Sequence, residues 1–365
     1  ALVALLSIQS ASVAFAVTVT GPTVIGSDLV LSQDSIEDGA GNVHVVYSTT
    51  ADMETYSIKY TKYDGSDWST PDTIDSWIPA GEGAQFVSID VDSSNNPWVA
   101  YADSTWGTGD DIGYAYYNSS WSTSTVGAVP ASGINDLDIG LFSNDSPYVL
   151  AAQSESVNIL QYTWGGSSFN ASSTFGNSWI AYDMDMKLEG TSEVNVVITS
   201  PAEVGPQFGG STRYYHSSNG GSSLDVDGEE VRIFTGDTSS SGFSTALTID
   251  ANGDPRFALV DATDSTNYIM FGAREDGLWN LTQIAEITVP DGFGAFTVGI
   301  AMNGDTEYIV YPDYNTSIDL YYTYTEGVDM TWSTPVEVES STVADEFYFN
   351  QINVSKRTGI DEIDI

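Results

Sequence analysis

The feature that most restricts how this chain can fold is a unit that recurs about every 50 residues. Each copy opens with a short strand-like segment, passes through an acidic or Gly/Asn turn, and continues into an apolar, aromatic segment. Successive copies read SIEDGAGNVHVVYS from Ser35, SIDVDSSNNPWVAYAD from Ser88 and DLDIGLFSNDSPYVLAAQ from Asp136. They continue as DMDMKLEGTSEVNVVITS from Asp183, ALTIDANGDPRFALVD from Ala246 and TVGIAMNGDTEYIVYPD from Thr297, and FNQINVSKRTGIDEIDI from Phe349 is a weaker seventh. The second half of each unit also repeats, as a Tyr-rich strand, a turn, and a Trp or Phe followed by small polar residues. YSIKYTKYDGSDWST from Tyr56, IGYAYYNSSWSTST from Ile112 and NYIMFGAREDGLWNLT from Asn267 are examples. Alternation in these pieces puts every second side chain on one face, as a half-buried strand requires. No amphipathic helical period runs through the chain beyond residue 20.

Two hairpins per unit make four strands, and such a unit cannot bury its apolar face alone; neighbouring copies must cover it. The expected fold is therefore all-β, a β-propeller of about seven four-stranded blades. The seventh copy supplies only two strands, and residues 17–30 read as a strand running into the first blade. Both termini should then complete one blade, which removes an exposed sheet edge. Trp68, Trp121, Trp279 and Trp332 recur just after a turn, where an indole can pack between neighbouring blades.

Charge narrows the partners. Against 51 Asp and Glu stand nine Lys and Arg, for a formal net charge of −42. A surface of that sign repels phosphate backbones and anionic lipid, so no nucleic-acid partner is expected. It suits a solvated coat in a salty medium and is compatible with Ca2+ capture by surface carboxylates. With no cysteine, disulfides and thiolate metal sites are excluded. His44 and His216 are too scattered for a His-rich metal centre and read as strand residues.

Residues 1–20 form an uncharged, mostly apolar run that ends at Gly21-Pro22. As a helix it would span roughly 30 Å. Two readings stand side by side. One is the tail of a secretory signal, with Ala14-Phe15-Ala16 as a small-residue cleavage site. The other is a retained helix, because the run resembles the hydrophobic helix that opens archaeal type IV pilins and archaellins. That resemblance implies a two-part chain, with a helix over 1–20 and a propeller domain over 21–365. It also implies an assembly face of Leu2, Val3, Leu5, Leu6, Ile8, Val13 and Phe15. Both readings place the protein outside the cell or on its surface.

The turns resemble the Asp-box loops of sialidase-like propellers. Asp64-Gly65-Ser66-Asp67-Trp68 and Asp276-Gly277-Leu278-Trp279 keep the Asp, Gly and Trp at altered spacing. What this resemblance implies is a fold, not an activity. A sialidase-like site calls for clustered arginines, whereas Arg213, Arg232, Arg256, Arg274 and Arg357 all lie in the later part of the chain. No catalytic residues are assigned, and the protein is expected not to be an enzyme. No cofactor is expected beyond Ca2+, for which Asp250, Asn252 and Asp254 place oxygens at alternating positions. Asn252-Gly253 between two strands reads equally as a hairpin turn. Asp90 and Asp92 present the same choice. Asn-x-Ser/Thr sequons at Asn118, Asn144, Asn170, Asn280, Asn315 and Asn353 are candidate glycosylation sites. The leading expectation is a self-assembling filament subunit that displays a propeller for adhesion. The alternative is a secreted or surface-anchored propeller that binds glycans or Ca2+, and a sialidase-like hydrolase is third.

Overall fold

The structure, a computed structural model, describes residues 4–5, 7–10, 17–19, 23–24, 29–50, 56–77, 85–103, 111–128, 133–153, 158–176, 181, 183–200, 211–221, 224, 229–233, 244–263, 266–275, 277–288, 297–314, 318–326, 331–340, 355–357 and 362–364. The described residues make eight antiparallel sheets, seven of which follow the repeat. Blade 1 is Leu29–Glu37, Val43–Thr50, Tyr56–Tyr63 and Asp72–Trp77, and blade 2 is Gln85–Val91, Pro97–Asp103, Asp111–Tyr117 and Trp121–Ala128. Blade 3 is Ile134–Leu141, Pro147–Gln153, Asn158–Trp164 and Phe169–Gly176. Blade 4 is Asp183–Glu189, Glu193–Ser200, Ser211–Ser217 and Glu229–Ile233. Blade 5 is Thr245–Ile249, Pro255–Thr263, Thr266–Glu275 and Leu278–Ile287. Blade 6 is Gly299–Asn303, Thr306–Tyr314, Ile318–Glu326 and Val336–Ser340. Within each blade the strands pair in chain order, and the first strand of every blade packs against the first strands of its two neighbours. The inner strands therefore close a ring.

Blade 7 takes strands from both ends of the chain. Ser355–Arg357 lies innermost, Glu362–Asp364 is next, and Ser7–Ser10 and Val17–Val19 complete the sheet. Closure by both termini is as expected, but two strands come from the N-terminal run and not one. The described residues of the run, 4–5, 7–10 and 17–19, are strand where the helix over residues 1–20 was expected. Ile8 sits in strand Ser7–Ser10, opposite Ile363 and Val19, and Leu5 sits in Ala4–Leu5, paired with Thr23–Val24. Leu2, Val3, Leu6, Val13 and Phe15 lie outside the described residues. The physical reason is an edge: Glu362–Asp364 would otherwise present unpaired N–H and C=O groups, and Ser7–Ser10 satisfies them. Among the described residues no helix is long and apolar enough to cross a membrane.

The core is divided into wedges between blades. Val46 and Ile58 of blade 1 meet Val87, Ile89 and Val99 of blade 2. Tyr148, Leu150 and Ile159 of blade 3 meet Met184, Val196 and Ile198 of blade 4. Ala258, Val260 and Ile269 of blade 5 meet Ile300 and Ile309 of blade 6. Each fully buried aliphatic side chain contributes about 1.5–3 kcal/mol, so the ring is held as a series of neighbour interfaces. The expected indole wedges are present. Trp121 packs edge-to-face on Tyr60 of the preceding blade at 5.0 Å, Trp279 on Tyr214 at 5.3 Å and Trp332 on Phe271 at 5.1 Å. Trp68 packs at 5.3 Å on Tyr63 of its own blade.

Strand order sorts the connections. The turn after the first strand and the turn after the third emerge on one face of the ring; the remaining connections emerge on the other. The first-to-second-strand turns share one build. Gly41, Asn95, Asp145 and Gly253 each stand at positive φ, and each donates its N–H to the carbonyl three residues back. Glycine is free to adopt that conformation, and Asn and Asp are the residues that tolerate it best among the rest.

Candidate functional site

The inner strands enclose a channel of about 780 Å³ lined by blades 1 to 6. Its polar lining comes from a short motif repeated on the inner strands, Ser or Asp, any residue, then Asp: Ser32–Asp34, Ser88–Asp90, Asp136–Asp138 and Asp183–Asp185. Each pair reaches across to the next blade and accepts two of its backbone N–H groups. Ser32 Oγ and Asp34 Oδ2 take Val87 and Ile89 at 3.3 and 2.8 Å. Ser88 Oγ and Asp90 Oδ2 take Ile139 and Leu141 at 3.2 and 2.6 Å. Asp136 and Asp138 take Met184 and Met186 at 2.7 and 2.8 Å, and Asp183 and Asp185 take Thr245 and Leu247. Ser244 Oγ continues the series to Val298 at 3.3 Å. These N–H groups face the preceding blade, not their own sheet, and the motif there satisfies them. It was visible in the repeat but hidden among 51 acidic residues.

The second carboxylate oxygens are engaged as well. Asp34, Asp90 and Asp136 accept the N–H of the following residue, Asp138 accepts Ser88 Oγ at 2.8 Å, and Asp185 accepts Lys187 Nζ at 2.8 Å. Crowding anions inside the ring moves their titration. Burial pushes the Asp34 and Asp90 carboxyls up to about 6 and Asp183 to about 7. Asp136 and Asp138 are raised well above the carboxylate range by burial and by Asp183 and Asp185 opposite them. Burial acts against the Lys187 ammonium, but Asp185, Asp138 and Asp34 outweigh it and hold the proton more tightly than usual. Its side chain keeps 46% of its surface open to the channel. The described channel lining is thus a hydrogen-bonded frame around the tethered Lys187 ammonium.

The sequence candidates fall as follows. Asp250 Oδ1 accepts the N–H groups of Asn252 and Asp254 at 2.8 and 2.9 Å, and Oδ2 takes the Arg256 guanidinium at 2.9 Å. This is the hairpin turn, with an internal cation already on the carboxylate. Asp92 makes the same turn, accepting Ser94 and Asn96 N–H at 2.9 Å, and Asp90 belongs to the channel frame. Among the described residues no cluster of three or more His, Cys, Asp and Glu forms a metal-binding group. His44 is buried; its Nε2 lies 3.0 Å from Asp38 Oδ2 and its Nδ1 2.7 Å from the Tyr60 hydroxyl. Burial pulls its pKa down, which keeps the ring neutral, donating to Asp38 and accepting from Tyr60. Asn118, Asn144, Asn170 and Asn280 are exposed, all at or beside turns of the same face; Asn315 and Asn353 lie outside the described residues. Arg256 is buried between blades 5 and 6, with Nε 3.8 Å from Glu307 Oε1, and Arg274 lies over the Tyr214 ring.

A second feature lies between blades 2 and 3 on the turn face. Trp98 stacks on Tyr116 at 4.9 Å and 20°, and meets Trp164 at 5.5 Å and 81°. All three rings are half-buried, so they form an aromatic notch open to solvent. Sequence reasoning missed it because the two indoles come from different repeats.

No protein-family model matches the chain, and no curated protein matches it in sequence. Solved structures do resemble it. A structure of AofleA from Arthrobotrys oligospora aligns with a TM-score of 0.54 at 12% identity, over 93% of this chain and 89% of that one. The fold is that of a β-propeller. A fucose-specific lectin from Aleuria aurantia aligns at 0.52 and 12% identity over 85% and 96% of the two chains. The periplasmic gluconolactonase of Pseudomonas aeruginosa aligns at 0.53 and 10% over 94% and 97%. Lectins and enzymes thus share this ring, and the likeness speaks for the fold alone.

Proposed function

We propose that the protein is a glycan-binding propeller module that works outside the cell or on its surface and does not catalyse a reaction. The observation that carries this reading is the half-exposed aromatic notch on a ring whose fold is shared with a fucose-specific lectin. Partly exposed aromatic rings suit the C–H face of a sugar, whereas the channel carboxylates are spent on holding blades together. Filament assembly through a bundle of N-terminal helices finds no support, because the described part of that run is strand within and beside blade 7. The test is a glycan array probed with the labelled full chain at physiological salt. Reproducible binding to a defined set of glycans is expected; no signal above background on a broad array would refute the reading.

A further inference from the structure

The notch is a departure from the repeat. In blades 1, 4 and 5 the second strand carries His44, Asn195 and Arg256, each bonded back to an acidic residue six positions earlier, Asp38, Glu189 and Asp250. Blade 2 keeps the acidic residue, Asp92, but places Trp98 at the matching position. In blade 3 the wedge role passes to Phe169, which packs on Tyr114 of blade 2 at 5.1 Å and 73°. The indole of that hairpin, Trp164, stands before the turn and not after it. Both changes add an indole at the same junction, where it stays half-exposed while Tyr114 and Phe169 beneath are buried. The two blades are tied together at their turns: Ser93 of the blade-2 turn donates its N–H and hydroxyl to the two carboxylate oxygens of Asp145 in the blade-3 turn, both at 2.7 Å.

We infer that the Trp98–Tyr116–Trp164 notch is a binding subsite for an uncharged pyranose ring, held by its apolar C–H face against the indoles. This rests on the glycan-binding reading and adds the place and the sugar class. Three rings locked by packing lose little freedom on binding, which favours a stacked ligand over solvent. The first turns of blades 2 and 3, on the same face of the ring, carry Asp92 and Asp145. Their carboxylates keep lone pairs that accept sugar hydroxyls. The same carboxylates, on a chain of net charge −42, repel uronic and sialic acids.

Glycan-array binding of the wild type comes first, followed by tryptophan-fluorescence titration with D-galactose, D-mannose, L-fucose and D-glucuronic acid. Trp164→Ala should weaken binding of the preferred neutral sugar by on the order of tenfold or more, while Trp164→Phe, which keeps a ring, should stay within about threefold. Thermal melts and near-UV circular dichroism establish that each variant is folded; if Trp164→Ala is not, Trp98→Phe against Trp98→Leu asks the same question. A wild type that binds glycans, with Trp164→Ala or Trp98→Leu binding as tightly, overturns the subsite and leaves the module reading intact. Preferential binding of glucuronic acid overturns the sugar class. A wild type that binds no glycan overturns the reading beneath both.

Discussion

Asp138 offers the sharpest test of the inter-blade frame. Its carboxylate accepts Met186 N–H and Ser88 Oγ, both at 2.8 Å, and so joins blade 3 to blade 4 and back to blade 2. Replacing it with Ala leaves a buried peptide donor without a partner, worth about 1–3 kcal/mol, and removes a hydroxyl contact worth about 1 more. Against that, it removes a carboxyl whose ionisation is opposed by burial and by Asp185. The net expectation for Asp138→Ala is a loss of about 2–3 kcal/mol at about pH 8. Asp138→Asn keeps an acceptor for Met186 and a partner for Ser88 while discarding the charge, so it should lie within about 1 kcal/mol of the wild type. Urea unfolding of the two variants at about pH 8 and about pH 5 reads both numbers. Equal damage from Asn and Ala at the higher pH would show that the carboxylate acts mainly as counter-ion to Lys187 and not as a latch. A neutral Ala variant would show that the inter-blade bonds contribute nothing.

The wild type should gain stability as pH falls from about 8 toward about 5. Asp34, Asp90 and Asp183 have folded pKa values raised to about 6, 6 and 7, so the native state takes up protons there before the unfolded chain does; a midpoint that falls over that range would contradict the frame. Lys187→Met should lower the melting temperature more at the upper end of that window than at the lower, since Asp138 and Asp34, whose titration is raised, lose their shared cation only while ionised. Equal losses at both ends would place the lysine outside the carboxylate network. Trp279→Ala, which removes a wedge contacting Tyr214 and Phe257, should cost about 3 kcal/mol in chemical unfolding, and a loss below about 1 would show that blades 4 and 5 do not depend on it.

Much of the architecture was legible in the chain because it is local and repeated. A strand period of two, a turn with Gly or Asn at its αL position, and an aromatic after the second hairpin recur at fixed spacing. They yield the blades, the Asp250 turn and the wedges Trp121, Trp279 and Trp332. The N-terminal run misled because apolarity alone does not separate a helix from a strand. What recruits Ser7–Ser10 is the open edge of Glu362–Asp364, more than 350 residues away. The candidate site divides the same way. The Ser/Asp-x-Asp motif was in plain view in the quoted repeats, yet its partners are peptide groups one blade on, which no local pattern specifies. Trp98 and Trp164 were both visible as tryptophans, but only the packing of blade 3 on blade 2 brings them within 5.5 Å. By itself, then, the sequence determined the blade, because strand pairing and turn conformation depend on residues a few positions apart. The tertiary structure alone decided which N-terminal strands complete blade 7, the carboxylate frame and the notch, because each is made where the edge of one blade meets a neighbour that no local pattern specifies.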